Sequence, residues 1–377
     1  MSGSTASRSP VDPWIAVTVI GLVITGLVMV LSSSQAMSYL AYHSSFYVID
    51  REALFAGLGL IALAILAHLD YHRLQAWALP AAVVAMGMMI AALLPGVGVS
   101  SYGAQRWINL GPLGTVQPSE LAKLGFTIFL AQWVSKRAAR IHTFSDGFLP
   151  FVILLGVVLT ALALQRDLGT AVVMASIFVV IYFTGGGGKR WLVLLALLLL
   201  LGFILMVVFE QYRLTRLEVF FNPFIDPQGK SLQAYQALVG IGSGGIDGVG
   251  LGHSVQKYQW LPQAHTDFIF AIVGEETGLI GSTLLLGGFV ILAVRGYRAA
   301  MRAPDRMGIM LAAGITTWIT LQALINIGVV TNTLPVTGVP LPFISYGGSA
   351  LAVTMAAAGV LLNVSRQGVD QSYLKRG

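Results

Sequence analysis

Long apolar runs separated by short polar stretches dominate the chain, and the runs define its elements. Ten of them read as membrane helices, at about 14–31, 53–67, 76–94, 120–134, 149–164, 171–184, 190–209, 267–294, 309–331 and 344–364. Such runs match the length needed to cross a hydrocarbon core about 30 Å thick. The first is too long for the apolar core of a cleavable signal peptide, about 7 to 15 residues, so it reads as a retained helix. The pattern predicts an all-α polytopic fold. A polar tail, 1–13, precedes a single ten-helix membrane domain, 14–365, and a second tail, 366–377, follows it. Four connections are long: Ser32–Glu52, Pro95–Ser119, Glu210–Thr266 and Asn332–Phe343. Connections of that length in a compact protein are functional or disordered, and these lack a disordered composition.

Composition sharpens the class. With 56% hydrophobic residues, 10% charged residues and a mean hydropathy of +0.80, a water-soluble domain is excluded. The 43 glycines and 14 prolines are compatible with membrane helices, whose neighbours satisfy freed backbone groups. The absence of cysteine excludes disulfides, thiol catalysis and zinc–thiolate sites. The net charge of +6 is spread over short loops rather than gathered in a stripe, which argues against nucleic acid. With both termini cytoplasmic, 14 of the 22 basic residues lie inside, as the positive-inside rule requires. Most of the acids then fall outside, and the outer face carries the polar chemistry.

The central stretch is Leu261–Gly278, where Pro262, His265, Thr266 and Asp267 run into an apolar segment that carries Glu275 and Glu276. Charges inside a membrane helix are costly and mark function by default. On an ideal helix Asp267 and Glu275 lie roughly 80° apart and about 12 Å apart in depth, with Glu276 on the opposite side from Asp267. Asp267 is thus the candidate at the outer mouth and Glu275 an interior anchor. The competing reading of Asp267 is a plain helix N-cap. In Gln117–Lys123, Pro118 suits the turn before a helix, Ser119 an N-cap, and Glu120 with Lys123 an i, i+3 pair that reads as a structural salt bridge or, as the alternative, as part of a polar cavity. Arg106-Trp107 suits an interface anchor or, through Arg106, a phosphate contact. Arg166 and Asp167 cap a tight hairpin. Gly240–Gly252 reads either as a phosphate-wrapping loop or as an irregular loop packed on helix ends. Pro335–Ser349 reads as a broken re-entry lining the outer cavity. The six histidines do not fall at metal-ligand spacing.

Four of these stretches together resemble the SEDS family (shape, elongation, division and sporulation) of bacterial peptidoglycan glycosyltransferases. They are Arg106-Trp107, Gln117–Lys123, the run from Gly242 through His265-Thr266-Asp267-Phe268 to Glu276, and Pro340–Ser349. Within the family, Gly250–Lys257 is closer to the division branch than to the elongation branch. The resemblance implies ten membrane helices and polymerisation of lipid II at the outer face of the plasma membrane, with Asp267 as the essential residue. It also implies a class B penicillin-binding protein as partner, among other division or elongation proteins. On this reading Asp267 is general base in an inverting transfer. Arg106, Trp107, Glu120, Lys123, Arg213, Arg216, Lys257, His265 and Ser345 are candidate substrate contacts, and Glu275, Gln117 and Asp167 are structural or cavity-lining. No dedicated metal motif is present, although outer carboxylates could hold magnesium or manganese. Two positions depart from the family: Arg166 stands where proline is frequent, and Gln263 where an acid is frequent. The rival functions are a flippase for lipid-linked precursors and a recruiting scaffold.

Overall fold

The computed structural model describes residues 11–101, 104–109, 111, 114–208 and 211–368. Of the two expected tails, residues 1–10 and 369–377, with Arg8, Asp370, Lys375 and Arg376, lie outside the described residues, as does Glu210. The helices are α1 (Pro13–Tyr42), α2 (Tyr47–His68), α3 (Leu74–Ala91), α4 (Pro118–Lys136), α5 (Leu149–Leu164), α6 (Leu168–Thr184), α7 (Lys189–Val208), α8 (Gln211–Phe221), α9 (Leu232–Gly244), α10 (Ile269–Arg302), α11 (Arg306–Val330) and α12 (Gly348–Gln367). Each of the ten apolar runs coincides with one of them. Six helical segments among the described residues, those ending in α1, α3, α5, α10, α11 and α12, are long and apolar enough to cross a membrane.

Burial runs opposite to that of a water-soluble bundle. On α2 the large residues Leu54, Leu58, Ile61 and Ile65 are exposed, while Ala56, Gly59 and Ala67 are buried. Small residues at such an interface let backbones approach without help from water. Here α2 packs along α12, and a side chain at Gly59 or Gly359 would meet Ala352 or Leu63 backbone. Helix α11 is buried on nearly every side and forms the centre.

The long connections are more ordered than their sequence indicates. Three short strands, β1 (Gly98–Ser101), β2 (Ala104–Asn109) and β3 (Thr115–Val116), form a small antiparallel sheet in spatial order β1-β2-β3. The sheet is a small addition to an all-α membrane bundle. Helices α8 and α9 lie within the stretch read as one outer loop. Helix α1 does not stop near residue 31 but continues to Tyr42, because Ser32 donates to Glu276 Oε1 at 2.6 Å instead of leaving the bundle.

Helix α10 is broken at Gly278, whose φ of 62° and ψ of −160° are not helical. The freed carbonyls of Glu275 and Glu276 accept from Val249 N and Gly250 N at 3.0 and 3.1 Å, and Leu279 N and Ile280 N donate back to Gly245 O and Ile246 O. Of the glycine-rich segment, Gly240–Gly244 close α9, and the part from Gly245 to Gly252 is a loop packed on helix ends. The amides of Val249 and Gly250 are spent on the broken helix, and a Cβ at Gly248 would collide with the Glu276 carbonyl.

Candidate functional site

Helix α10 begins at Ile269 with Phe268 as its N-cap and no side-chain cap. Asp267 therefore stands in the preceding turn, and neither the N-cap reading nor the ideal-helix angles apply to it. Gln263, at φ 60°, shapes that turn: its carbonyl accepts from Phe268 N, and its side-chain oxygen accepts from Thr266 Oγ1 at 2.7 Å. An acid at this position would accept the same bond, so the departure at Gln263 removes no proton carrier the turn requires.

The segment following α11 is stitched onto this turn. Ser345 Oγ donates to Thr266 O at 2.7 Å and accepts from Leu341 N at 2.8 Å, and Tyr346 N donates to His265 O at 2.9 Å. Asn326 of α11 donates to both Asp267 O and Val339 O at 2.7 Å. Ser345 thus spends its hydroxyl on backbone, which corrects its assignment as a substrate contact. His265 is half-buried beside Tyr346, with ring centroids 5.7 Å apart, and burial pushes its pKa down to about 4. A neutral imidazole at physiological pH follows.

Cations converge on Asp267 from two other elements. Strand β2 supplies Arg106, whose Nε donates to Gln165 O at 3.3 Å and whose Nη2 donates to Arg166 O. Its Nη1 lies 3.9 Å from Asp167 Oδ1. Asp167 caps α6 through Thr170 N and accepts from Gln117 Nε2 at 3.2 Å. Arg166 makes this turn at φ 59°, a value the proline ring cannot adopt. Helix α8 supplies Arg216, which donates to Val336 O at 2.6 Å. Arg213 lies one turn earlier on the same helix, half-buried. Trp107 follows Arg106 on β2, opposite Val99. Burial pushes the Asp267 carboxyl up to about 6, against the pull of Arg106 and Arg216, with Asp167 adding to the rise.

Gly338, at φ 71°, closes the site. A Cβ there would stand 3.3 Å from Asp267 Oδ2 and 4.0 Å from Arg106 Nη1. Gly338→Ala is expected to lower turnover about tenfold, because it strains a left-handed backbone by roughly 1–2 kcal/mol and crowds the carboxylate. Parallel rate and melting measurements check it, with the rate falling further than the stability change accounts for.

The remaining charged candidates lie elsewhere. Lys123 is buried beneath the site: its Nζ donates to Glu120 Oε1 at 2.8 Å and to Gln322 Oε1 at 2.6 Å, and lies over the Trp318 ring. Gln322 in turn donates to Pro340 O at 2.9 Å. Pro118 is the first helical residue of α4 and Gln117 its N-cap, so Ser119 is not the cap, and its hydroxyl is buried. Lys257 corrects its assignment as a substrate contact. It is buried against Glu276 at 3.2 Å and Ser32 at 3.3 Å, away from the Asp267 turn. Glu275 accepts from Val255 N at 2.9 Å and from Gln256 N and Ser254 Oγ, which ties the segment before the Asp267 turn to α10. Gln322 and Asn326 escaped the sequence reading. Their signal was two amides at i, i+4 in an otherwise apolar span. Among the described residues, no three His, Asp or Glu side chains converge as a metal site.

The family model described as "Cell cycle protein", covering FtsW, RodA and SpoVE, matches residues 13–369. Stage V sporulation protein E of Bacillus subtilis is 41% identical over 365 residues, covering 96% of this chain and 99% of that one. A probable peptidoglycan glycosyltransferase FtsW of Geobacter metallireducens is 39% identical over 354 residues, covering 94% of each. Among solved structures, a chain from a peptidoglycan synthase complex that coordinates polymerization and crosslinking superposes with a TM-score of 0.76 at 30% identity, covering 96% of this chain and 99% of that one. The rod shape determining protein RodA of Thermus thermophilus superposes with a TM-score of 0.69 at 28% identity, covering 98% and 100%. With its bundle, its Asp267 turn and these matches over nearly the full length, the chain is a multi-pass membrane protein that belongs to the FtsW/RodA/SpoVE family.

Proposed function

We propose that the chain polymerises glycan strands from lipid II at the outer face of the bacterial plasma membrane. Asp267 would serve as general base in an inverting transfer during division or sporulation. A sugar hydroxyl of one lipid-linked saccharide attacks the anomeric carbon of another. The bond to the lipid diphosphate breaks with inversion, and the hydroxyl proton passes to Asp267. The observation that carries this reading is a carboxylate in the turn before α10, beside Gly338 and flanked by the Arg106 and Arg216 guanidinium groups; burial pushes it up to about 6. An ordinary aspartate, with a pKa near 4, is a poor base at neutral pH, whereas one near 6 is still largely ionised and a stronger acceptor.

Developing charge on the leaving diphosphate requires fixed cations. Arg106 and Arg216 are the nearest, held at Gln165–Asp167 and Val336. Asp167 acts through Arg106 and is a positioning residue. The acids here face guanidinium groups and do not form a metal cage, so magnesium or manganese would have to enter on the substrate's own phosphates, and no step is assigned to it. The similarity to a chain of a peptidoglycan synthase complex supports a penicillin-binding protein as partner. A flippase is separated by one experiment. Purified protein with its partner, in detergent where flipping has no meaning, is expected to elongate added lipid II. Absence of any strand product would sink the polymerase reading.

A further inference from the structure

Helix α4 carries the chain about 27 Å away from the Asp267 turn, from Pro118 to Lys136. At that far end a pocket of about 660 Å³ opens between α4 and α5, lined by Lys136, Arg137, Arg140, Ser145, Asp146 and Pro150. Three cations and one carboxylate leave its lining with two net positive charges. Among the described residues, none of the three cations forms an ion pair. The turn that carries Arg140 is pinned to α6 and α7, because Tyr182 donates to Ile141 O at 3.1 Å and Trp191 Nε1 to His142 O at 2.9 Å. Thr143 donates to Arg140 O at 2.7 Å, and the chain then enters α5 through a π-helical turn, Phe144–Phe148, a feature that recurs at functional sites.

Aromatic side chains mark the depth of the pocket. Arg137 lies over the Trp133 ring at 4.5 Å, and Phe144 and Phe148 pack on Trp191 with centroids 5.2 and 4.9 Å apart. Tryptophan gathers at the level of lipid headgroups. Phe144 and Leu149 are exposed beside the charged lining, where an acyl chain would lie. With the Asp267 turn facing outward, this end of α4 stands in the cytoplasmic leaflet, whose surface is anionic.

We propose that this pocket binds the headgroup of an anionic phospholipid of the inner leaflet, one that carries two phosphates. The site is separate from the Asp267 turn and does not depend on the polymerase reading. A soluble phosphate would meet the same cations. What favours the lipid is the apolar edge at Phe144 and Leu149, which water would have to cover and acyl chains would not. A headgroup with two phosphates balances the two net charges of the lining, whereas a single phosphate leaves one of them unmatched.

The test titrates cardiolipin, phosphatidylglycerol and phosphatidylethanolamine onto the purified full chain in neutral detergent and reads bound lipid by native mass spectrometry. One variant combines Lys136→Gln, Arg137→Gln and Arg140→Gln. Its control combines Arg298→Gln, Arg302→Gln and Arg306→Gln, which removes the same charge from exposed positions on α10 and α11 outside the pocket. The wild type and the control are expected to hold cardiolipin about tenfold or more tightly than phosphatidylethanolamine, and the pocket variant to lose that preference. Ala139→Glu keeps all three cations, and with them the inserted fold, and adds a carboxylate to the lining; it is expected to lose the preference as well. Equal losses in the pocket variant and the control assign the effect to diffuse charge and overturn the proposal. Phosphatidylglycerol bound as tightly as cardiolipin overturns the two-phosphate assignment. Inorganic phosphate that displaces cardiolipin from the wild type at equal concentration assigns the pocket to a soluble anion and overturns the lipid.

Discussion

Asp267→Asn yields a folded, inserted protein that makes no measurable glycan strand. The substitution keeps the size of the side chain and removes its ability to take a proton, a role worth about 10²–10⁴ in rate. The fold is indifferent to the change, because the structural work at this residue is done by its carbonyl, which accepts from Asn326 at 2.7 Å. Burial disfavours the ionised carboxylate and pushes its pKa up to about 6. A neutral amide therefore leaves the melting temperature unchanged or raises it. Strand synthesis by the purified variant with its partner, alongside thermal melting, checks both halves. A scaffold function predicts no effect on growth, and substantial synthesis removes Asp267 from the chemistry.

Lys123→Met is expected to cost both stability and activity. Lys123 and Glu120 are each 1% exposed and joined at 2.8 Å. Removing one member of a buried pair leaves the other uncompensated, at about 3–5 kcal/mol. The loss reaches the site through Gln322, which bonds both Lys123 and the carbonyl of Pro340 in the segment closing over Asp267. Lys123→Met combined with Glu120→Gln is expected to recover most of the melting temperature, because no lone buried charge remains. A Lys123→Met protein of unchanged stability and lost activity would instead make Lys123 part of the substrate cavity.

The bundle was legible in the sequence because membrane helices announce themselves locally. Each of the ten apolar runs became a helix, with α5 matching its expected bounds of 149–164. Asp267 and Arg106 were singled out in the sequence through motif resemblance, without the turn and the strand that carry them. What failed was anything decided by partners distant in the chain. Lys257 looked like a loop cation because Ser32 lies 225 residues away. Ser345 looked available because the carbonyl it serves, that of Thr266, belongs to another connection. The glycine-rich stretch could not be resolved until Gly278 was seen to break α10 and expose carbonyls for it to bind. The small sheet of β1, β2 and β3 consists of strands of two to six residues, too short for alternation to register.

The account stands on Asp267 accepting a proton in the field of Arg106 and Arg216, and the pH dependence of strand synthesis measures that directly. Folded-state burial raises this carboxyl, so the active ionised form is lost as pH falls through about 6. The wild-type rate is expected to show a single acid limb with its midpoint near 6. Arg106→Gln should move the midpoint upward, because that guanidinium holds the carboxyl down. A rate independent of pH between about 5 and 8, or a midpoint that Arg106→Gln leaves in place, would contradict it.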